Sequence, residues 1–306
     1  MQPTFSGPRT FLQLPAALAD GSAPDVTIVG VPFDLGTTNR PGSRFGPAAI
    51  REASLMLVDG GHPELRVNPA TTLRAIDGGD LDIVNGYMDE SLALIERQIA
   101  DIPGHVITLG GDHTVTLPIL RARAGRDGKG ISLVHFDAHV DTWKDNFGGP
   151  VGHGTPFHYA AQEGLIDPKR SIQIGIRSPV DNETMDYTRD ALGFTVITAE
   201  DVHVGGIEQV IAAIEKTVGN NPAYLTFDID AIDPGQAPGT GTPEVGGLFT
   251  WQALAILKRL GGINWIGMDM VEVAPAYDQA QITALAAATF VWTYLCLLIK
   301  KGSSDE

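Results

Sequence analysis

The 306-residue chain has a single cysteine, Cys296. One thiol cannot close an intrachain disulfide or supply the cysteine ligands of an iron–sulfur or Cu(I) centre, so those chemistries are excluded. Cys296 lies in an apolar segment and reads as a small buried hydrophobe. A chain without disulfides is compatible with a cytoplasmic location. Basic residues are scarce as well. Lys and Arg number 21 against 37 Asp and Glu, for a formal net charge of −16, and there is no basic run. That argues against nucleic acid and against an anionic membrane surface as partners, since both need basic patches. The opening "MQPTFSGPRTFLQL" lacks a basic stretch followed by an apolar one, so no secretory signal is expected. Long apolar runs are nearly absent. The exception, "ITALAAATFVWTYLCLLIK" at 282–300, is about long enough to span a bilayer but carries several Thr, and it reads as a buried terminal helix.

What is present is an alternation of strand-length apolar runs and longer helical patterns. Strands are expected at 25–32, 105–111, 130–137, 171–177, 193–198, 222–230 and 263–273. Helices are expected over "FGPAAIREASLML", where Pro47 sits just inside the start, and over 114–125, 206–219, 249–262 and the C-terminal segment. The strand runs are apolar throughout rather than alternating. This is the mark of a parallel sheet covered on both faces. The expectation is a single three-layer α/β/α domain with a mainly parallel sheet over 1–306, with an N-terminal extension at 1–24 and a C-terminal helix and tail at 278–306.

In open α/β sheets, sites form beyond the carboxyl ends of the strands. Four strands here end in acidic or imidazole residues. "HVITLGG" leads to Asp112 and His113. "LVHFDAHVDTW" carries Asp137, His139 and Asp141. "AYLTFDIDAID" carries Asp228, Asp230 and Asp233, and "WIGMDMVE" ends in Glu272. If these strands are neighbours, the groups converge in one cleft. Any one of them has an ordinary structural use. Asp112 is a natural helix N-cap, and His62, His105, His135 and His203 read as packing residues. Several carboxylates and two histidines closing buried strands would be costly to dehydrate together without cations. Oxygen and imidazole donors suit Mn, Mg, Zn, Ni or Fe. At least six candidate ligands suit two divalent ions, about 3.5 Å apart, rather than one. Such a pair makes hydroxide from a shared water near neutral pH, which predicts hydrolysis without a covalent intermediate.

"GGDHT" at 110–114, "DAHVD" at 137–141 and "FDIDAIDPGQAPGTGTPEVGG" at 227–247 resemble the signature segments of the ureohydrolases, which include arginases, agmatinases and guanidino-acid hydrolases. "GVPFDLGTTNRPGSRFGPAAIR" at 30–51, "GHGTPF" at 152–157 and "MDMVEVAP" at 268–275 extend the resemblance over nearly the whole chain, in the family's order. The resemblance implies two Mn2+ per subunit, with Ni2+ as an alternative. One ion would be held by His113, Asp137, Asp141 and Asp228, and the other by Asp137, His139, Asp228 and Asp230, so that Asp137 and Asp228 bridge. It implies hydrolysis of a guanidinium carbon to urea and an amine by a metal-bridging hydroxide. Asp141, His153 and Glu272 are counted as catalytic, His153 as the proton shuttle and Glu272 as the carboxylate for the guanidinium; His158 is a weaker second candidate for the shuttle. Asp233 is expected to support ligands and backbone, and Thr240 and Thr242 to bond ligands or substrate. A homo-trimer or homo-hexamer is implied as well.

For the substrate, the family's arginases carry an asparagine two residues beyond D-x-H-x-D, where this chain has Trp143 followed by Lys144. That departure, with "GSRFGP" and "APGTGTPE", points to the agmatinase and guanidino-acid branch. Lys144 tips the expectation slightly toward a guanidino acid (guanidinobutyrate or guanidinopropionate); Asp145 beside it weakens the argument. Agmatine, whose ammonium tail calls for an acidic rim, is the alternative, and Trp143 and Phe147 would also suit a small alkylguanidine. Arg40 and Arg44 are candidates for the tail pocket. A formiminoglutamate-type amidine hydrolase and a non-catalytic subunit are the readings from other classes.

Overall fold

The computed structural model describes residues 6–124 and 130–302. The outermost residues of the expected N-terminal extension and C-terminal tail, and Gly125 at the end of the helix expected over 114–125, lie outside it. The described residues contain eight strands: β1 Val26–Gly30, β2 Ala75–Asp80, β3 His105–Leu109, β4 Ser132–Phe136, β5 Ile172–Ile176, β6 Thr195–Thr198, β7 Ala223–Asp228 and β8 Trp265–Val271. They form one sheet in the order β2-β1-β3-β8-β7-β4-β5-β6, and every pairing is parallel. The helices are α1 Gly46–Ser54, α2 Pro69–Thr72, α3 Met88–Asp101, α4 Thr116–Arg123, α5 Pro156–Gln162, α6 Asn182–Asp186, α7 Ala199–Val218, α8 Thr250–Leu257 and α9 Ile282–Gly302.

The apolar run of each inner strand serves two cores at once, because successive side chains point to opposite faces. In β4, Val134 and Phe136 join the core under α1, α7, α8 and α9, while Leu133 joins the core under α3, α4 and α5. This doubled burial explains why these strands do not alternate in polarity, and it gives the three-layer architecture. The edge strands differ. β6 is only half buried along its length, and β2, "AIDGGD", is mostly exposed at its second half. β2 escaped the sequence pattern for that reason.

Helix starts follow local chemistry. Pro47 opens α1, where its missing N–H is not needed. Asp89 and Glu90 occupy the positive first turn of α3, which buries Leu92, Ile95 and Ile99 at helical spacing. α7 begins seven residues before the expected helix. Thr198 and Asp201 form a reciprocal capping box at its start, and the chain bends at Gly206, whose φ of 78° interrupts the helix. The segment Ile282–Ile299 is long and apolar enough to cross a membrane, yet 72% of it is buried inside the structure. It packs on α1 and α8 and contributes Phe290, Tyr294, Cys296 and Leu297 to the core. Before β1, the buried Phe11, Leu12 and Leu14 dock on the same core, and the Phe11 N–H donates to Asp77 Oδ2 at 2.6 Å.

Candidate metal centre

The four strands that end in acidic or imidazole residues are consecutive in the sheet: β3, β8, β7, β4. Their carboxyl ends are in register, with Leu109 beside Met270, Asp228 beside Val271 and Phe136 beside Phe227. Asp112 and His113, Glu272, Asp228 and Asp230, and Asp137, His139 and Asp141 therefore meet at one edge. His113 Nδ1 lies 3.1 Å from Asp137 Oδ2, 2.9 Å from Asp141 Oδ2 and 3.3 Å from Asp228 Oδ2. His139 Nδ1 lies 3.2 Å from Asp137 Oδ1 and 3.1 Å from Asp230 Oδ2. Asp137 belongs to both groups. Donor atoms of His113, His135, Asp137 and Asp141, and separately of Asp137, His139 and Asp230, come within 4.8 Å of one another and can each hold a metal ion. Thr242 Oγ1 donates to Asp230 Oδ2 at 3.2 Å, and the Ala138 N–H donates to its Oδ1 at 3.0 Å.

The electrostatics are those of a site short of positive charge. Asp137, Asp141, Asp228 and Asp230 are all buried, and among the described residues no Lys or Arg forms an ion pair with any of them. Burial, then the Asp230 and Asp137 charges, push the Asp228 carboxyl well above its ordinary value. Burial opposes ionisation of Asp137 too, but the flanking His135, His113 and His139 hold it well below. The same carboxylates hold His113 and His139 well above the usual imidazole range, against the effect of burial. Four buried carboxylates facing three imidazoles, with no thiolate, fit hard or borderline divalent cations.

Beneath this layer lies a second one that sequence reasoning missed. Thr108 in β3, Asp269 in β8, Thr226 in β7, His135 in β4 and Gln173 in β5 are register neighbours across five strands, and all are fully buried. They sit in place of apolar residues in the middle of the sheet. Their hydrogen bonds run to the layer above. His113 Nε2 is 2.8 Å from Thr226 Oγ1, and the Thr116 and Tyr224 hydroxyls donate to Asp269 Oδ2 at 2.8 and 3.1 Å. His135 Nε2 is 2.7 Å from Asp137 Oδ2, while its Nδ1 accepts from Gln173 Nε2 at 3.2 Å. His135, expected as a packing residue, is thus buried and satisfied but also fixes Asp137. The available signal was the strand period: His135 stands two residues before Asp137, on the same face.

His153 and Glu272 are together. His153 Nδ1 lies 3.0 Å from Glu272 Oε1, which also accepts the His113 backbone N–H at 2.9 Å. His153 Nε2 is 2.7 Å from Thr38 Oγ1, and its backbone N–H donates to Gly36 O at 3.2 Å. Burial alone would lower the His153 pKa, but the adjoining Glu272 carboxylate raises it to about 9. Glu272 Oε2 is buried with no hydrogen-bond partner. Two site residues hold left-handed backbone, Asp141 at φ 50° and Glu272 at φ 65°, a conformation uncommon for non-glycine residues. Gly111 must be glycine: a Cβ there would lie 1.7 Å from Phe33 O.

The other expected residues take varied places. Asp112 accepts the Thr114 N–H, as a cap, and also the Gly36 N–H at 2.7 Å; burial, then Glu272, raise it to about 7. Asp233 ties the glycine-rich loop by accepting the N–H groups of Gly235, Gly246 and Gly247. Thr240 Oγ1 has no partner. His158 is bonded to Tyr187, away from His153. Arg44 pairs with Asp34 and Arg40 lies over the Tyr277 ring, and neither lines the cavity in front of the carboxylates.

That cavity has a volume of about 590 Å³. His139, Asp141, Asp228 and His153 form its inner wall, and Trp143, Phe147 and Tyr187 its outer aromatic part. Asp145, Asp181 and Glu183 place carboxylates on the rim, where Lys144 is the one Lys or Arg among the described lining residues. Lys144 Nζ is 3.3 Å from Glu183 Oε1.

A family model described as the arginase family matches residues 24–296. Over 301 residues the chain is 44% identical to an agmatinase from Chromobacterium violaceum, covering 97% of this chain and 91% of that one. Among solved structures it is similar to a hypothetical agmatinase from Burkholderia thailandensis, with 44% identity, a TM-score of 0.91 and coverage of 99% and 94%. It is also similar to the proclavaminate amidino hydrolase of Streptomyces clavuligerus, with 35% identity, a TM-score of 0.91 and coverage of 98% and 100%. With the eight-stranded parallel sheet, the match over most of the length and the aspartate–histidine cluster at the sheet edge, the chain belongs to the arginase family, the ureohydrolases that act on C–N bonds of linear amidines.

Proposed function

We propose that the chain cleaves an amine-tailed guanidine of the agmatine type into urea and a diamine. The observation that carries this reading is the rim charge. Three lining carboxylates, Asp145, Asp181 and Glu183, outnumber the one ammonium, Lys144, which pairs with Glu183. An acidic rim attracts a cationic tail and repels a carboxylate tail. The slight preference for a guanidino acid drawn from Lys144 in the sequence is therefore reversed. Relatives that bear the name agmatinase support the same choice.

The carboxylate–imidazole cluster fits two divalent ions. His113, Asp137, Asp141 and Asp228 would hold one, and Asp137, His139, Asp228 and Asp230 the other; manganese is our assignment, with nickel permitted by the same donors. When bound, the ions lower the pKa of water and so supply a nucleophile near neutral pH. The chain's own groups do the rest. Glu272 is buried behind His153 rather than on the cavity wall, and its unpartnered Oε2 is the acceptor we assign to a guanidinium N–H. His153, on the cavity wall with Nδ1 against Glu272 Oε1 and Nε2 bonded by Thr38, is the acid we assign: as an imidazolium it would give its Nδ1 proton to the leaving nitrogen as the C–N bond breaks and remain neutral with its other proton on Nε2, toward Thr38 Oγ1. Trp143 and Phe147 wall the path of the alkyl chain.

The experiment is urea release by manganese-loaded and nickel-loaded protein from agmatine, 4-guanidinobutyrate, 3-guanidinopropionate, arginine, guanidine and dimethylguanidine. Agmatine is expected to have the highest kcat/KM. A higher value for either guanidino acid would sink the reading.

The buried polar row makes a separate prediction. His113 Nε2 is bonded to Thr226, and the Asp269 carboxylate beside Thr226 in the neighbouring strand favours a proton on that nitrogen, which leaves His113 Nδ1 to face a cation. Asp269→Asn is expected to weaken divalent binding about 10- to 100-fold, the range for partners that orient metal ligands. Isothermal titration with Mn2+ measures it; unchanged affinity in a folded variant would remove Asp269 from this role.

A further inference from the structure

Lys144 is the basic residue that made a carboxylate tail attractive in the sequence, and the structure puts its ammonium in an unexpected place. Nζ lies 5.1 Å from the centroid of the Tyr187 ring and 3.3 Å from Glu183 Oε1. An aromatic face and a carboxylate converging on one ammonium form a cation-binding arrangement. All three residues line the cavity in front of the carboxylate cluster.

The arrangement is built, at least on its aromatic side. Tyr187 opens a π-helical turn, Tyr187–Leu192, directly after α6; single π turns are frequent at functional sites. Its hydroxyl is 2.8 Å from His158 Nδ1 and accepts from Gln162 Nε2 at 3.2 Å. Burial and then the Lys144 charge lower the His158 pKa, which leaves Nδ1 free to accept the Tyr187 O–H. The ring face is thus held toward the cavity by two residues of α5. Glu183 sits in the first turn of α6, whose N-cap, Asp181, accepts the Thr184 N–H at 2.8 Å.

The ligand now seated there is informative. A lysine side chain is an ammonium on four methylenes. Agmatine beyond its guanidinium is also an ammonium on four methylenes. We propose that Glu183 and Tyr187 form the subsite for the distal ammonium of the substrate, and that Lys144 occupies this subsite as a tethered competitor until the substrate tail displaces it. The inference rests on the amine-tail reading above. Lys144 and Glu183 are both largely exposed, with side-chain accessibilities of 57% and 84%, so their pairing is weak enough for a substrate to displace. In this arrangement Lys144 does not read a carboxylate. It sets a ceiling on affinity for amines.

The test is steady-state kinetics of the metal-loaded enzyme with agmatine, butylguanidine and 4-guanidinobutyrate, together with inhibition by 1,4-diaminobutane. Lys144→Met is expected to lower the agmatine KM about two- to tenfold, to lower the diamine inhibition constant in parallel, and to move butylguanidine least. Glu183→Gln is expected to raise the agmatine KM, and to raise it by a larger factor in the Lys144→Met background, where no lysine screens the carboxylate. A merely structural Lys144 would give no such coupling. If agmatine is turned over but its KM is unchanged or higher in Lys144→Met, the competitor role is overturned and the amine-tail reading stands. If 4-guanidinobutyrate is the wild-type substrate and Lys144→Met raises its KM, both fail together. Failure of both variants to alter the diamine inhibition constant would show that the ammonium binds elsewhere.

Discussion

Asp137→Asn is expected to strip the protein of divalent metal and to lower kcat/KM at least about a thousandfold, since metal assistance is worth several kcal/mol and each 1.36 kcal/mol is tenfold. The reason is its position. Asp137 is fully buried at the end of β4, and its two oxygens are the ones shared between the imidazoles of His113 and His139. His135 Nε2 bonds the same Oδ2, and the His139 backbone N–H donates to Oδ1 at 2.6 Å. An amide keeps the shape but replaces one oxygen with an NH2 group that cannot bind a cation. In the metal-free protein the negative charge matters as well, because the three surrounding histidines favour the ionised form. Elemental analysis after gel filtration, beside a circular dichroism spectrum, separates loss of metal from loss of fold. A folded variant that retained two ions per chain with normal turnover would remove Asp137 from the proposed ligand set.

His153→Asn is expected to keep the metal and to lower kcat about 10²- to 10⁴-fold, the usual range for loss of a positioned acid–base group. None of the ligand candidates depends on it: its side-chain partners are Glu272 and Thr38. A second readout does not involve turnover. In the metal-free protein the His153 pKa is raised to about 9, from an unfolded value near 6.5. A raised imidazole pKa contributes stability that is complete below the unfolded value and is lost as pH rises through the folded one. The Tm of the metal-free wild type should therefore fall between pH 6.5 and about 9 by more than that of His153→Asn. Equal slopes for the two proteins in that window would deny the Glu272–His153 pairing its energetic role. In the loaded enzyme nearby dications would lower the His153 pKa toward neutrality, where a proton donor is most useful.

Much of the site was readable because chemistry and topology coincide at strand ends. A buried parallel strand is mostly apolar, so the acidic residues that follow "SLVHF", "AYLTF" and "WIGMDM" mark the sheet edge, and in this fold class the edge is where sites form. Asp137, His139, Asp228, Asp230 and Glu272 could be singled out on that ground alone. The polar row beneath them was harder to see. Thr108, Asp269, Thr226, His135 and Gln173 each look like one tolerated polar residue in an apolar strand. They become a layer only when β3, β8, β7, β4 and β5 lie side by side. β2 and α3 were missed because one is a short, glycine-containing edge strand and the other carries its signal in helical spacing rather than in an apolar run, although Asn85-Gly86 and Pro103-Gly104 bound it.

By itself, then, the sequence determined the parallel α/β class, the chemical type of the site and the family, because apolar periodicity and donor identity are local properties of the chain. It could not decide the strand order, which depends on pairings between segments more than a hundred residues apart, such as β3 with β8. Nor could it decide the meaning of Lys144. Read alone, a lysine beside a candidate pocket is a positive charge offered to substrate. In the fold, helix α6 and the turn after it bring Glu183 and Tyr187 against it, and the charge is already taken. The sign of an electrostatic preference is set by the sum of the charges around a point in space, and only the tertiary structure assembles that sum.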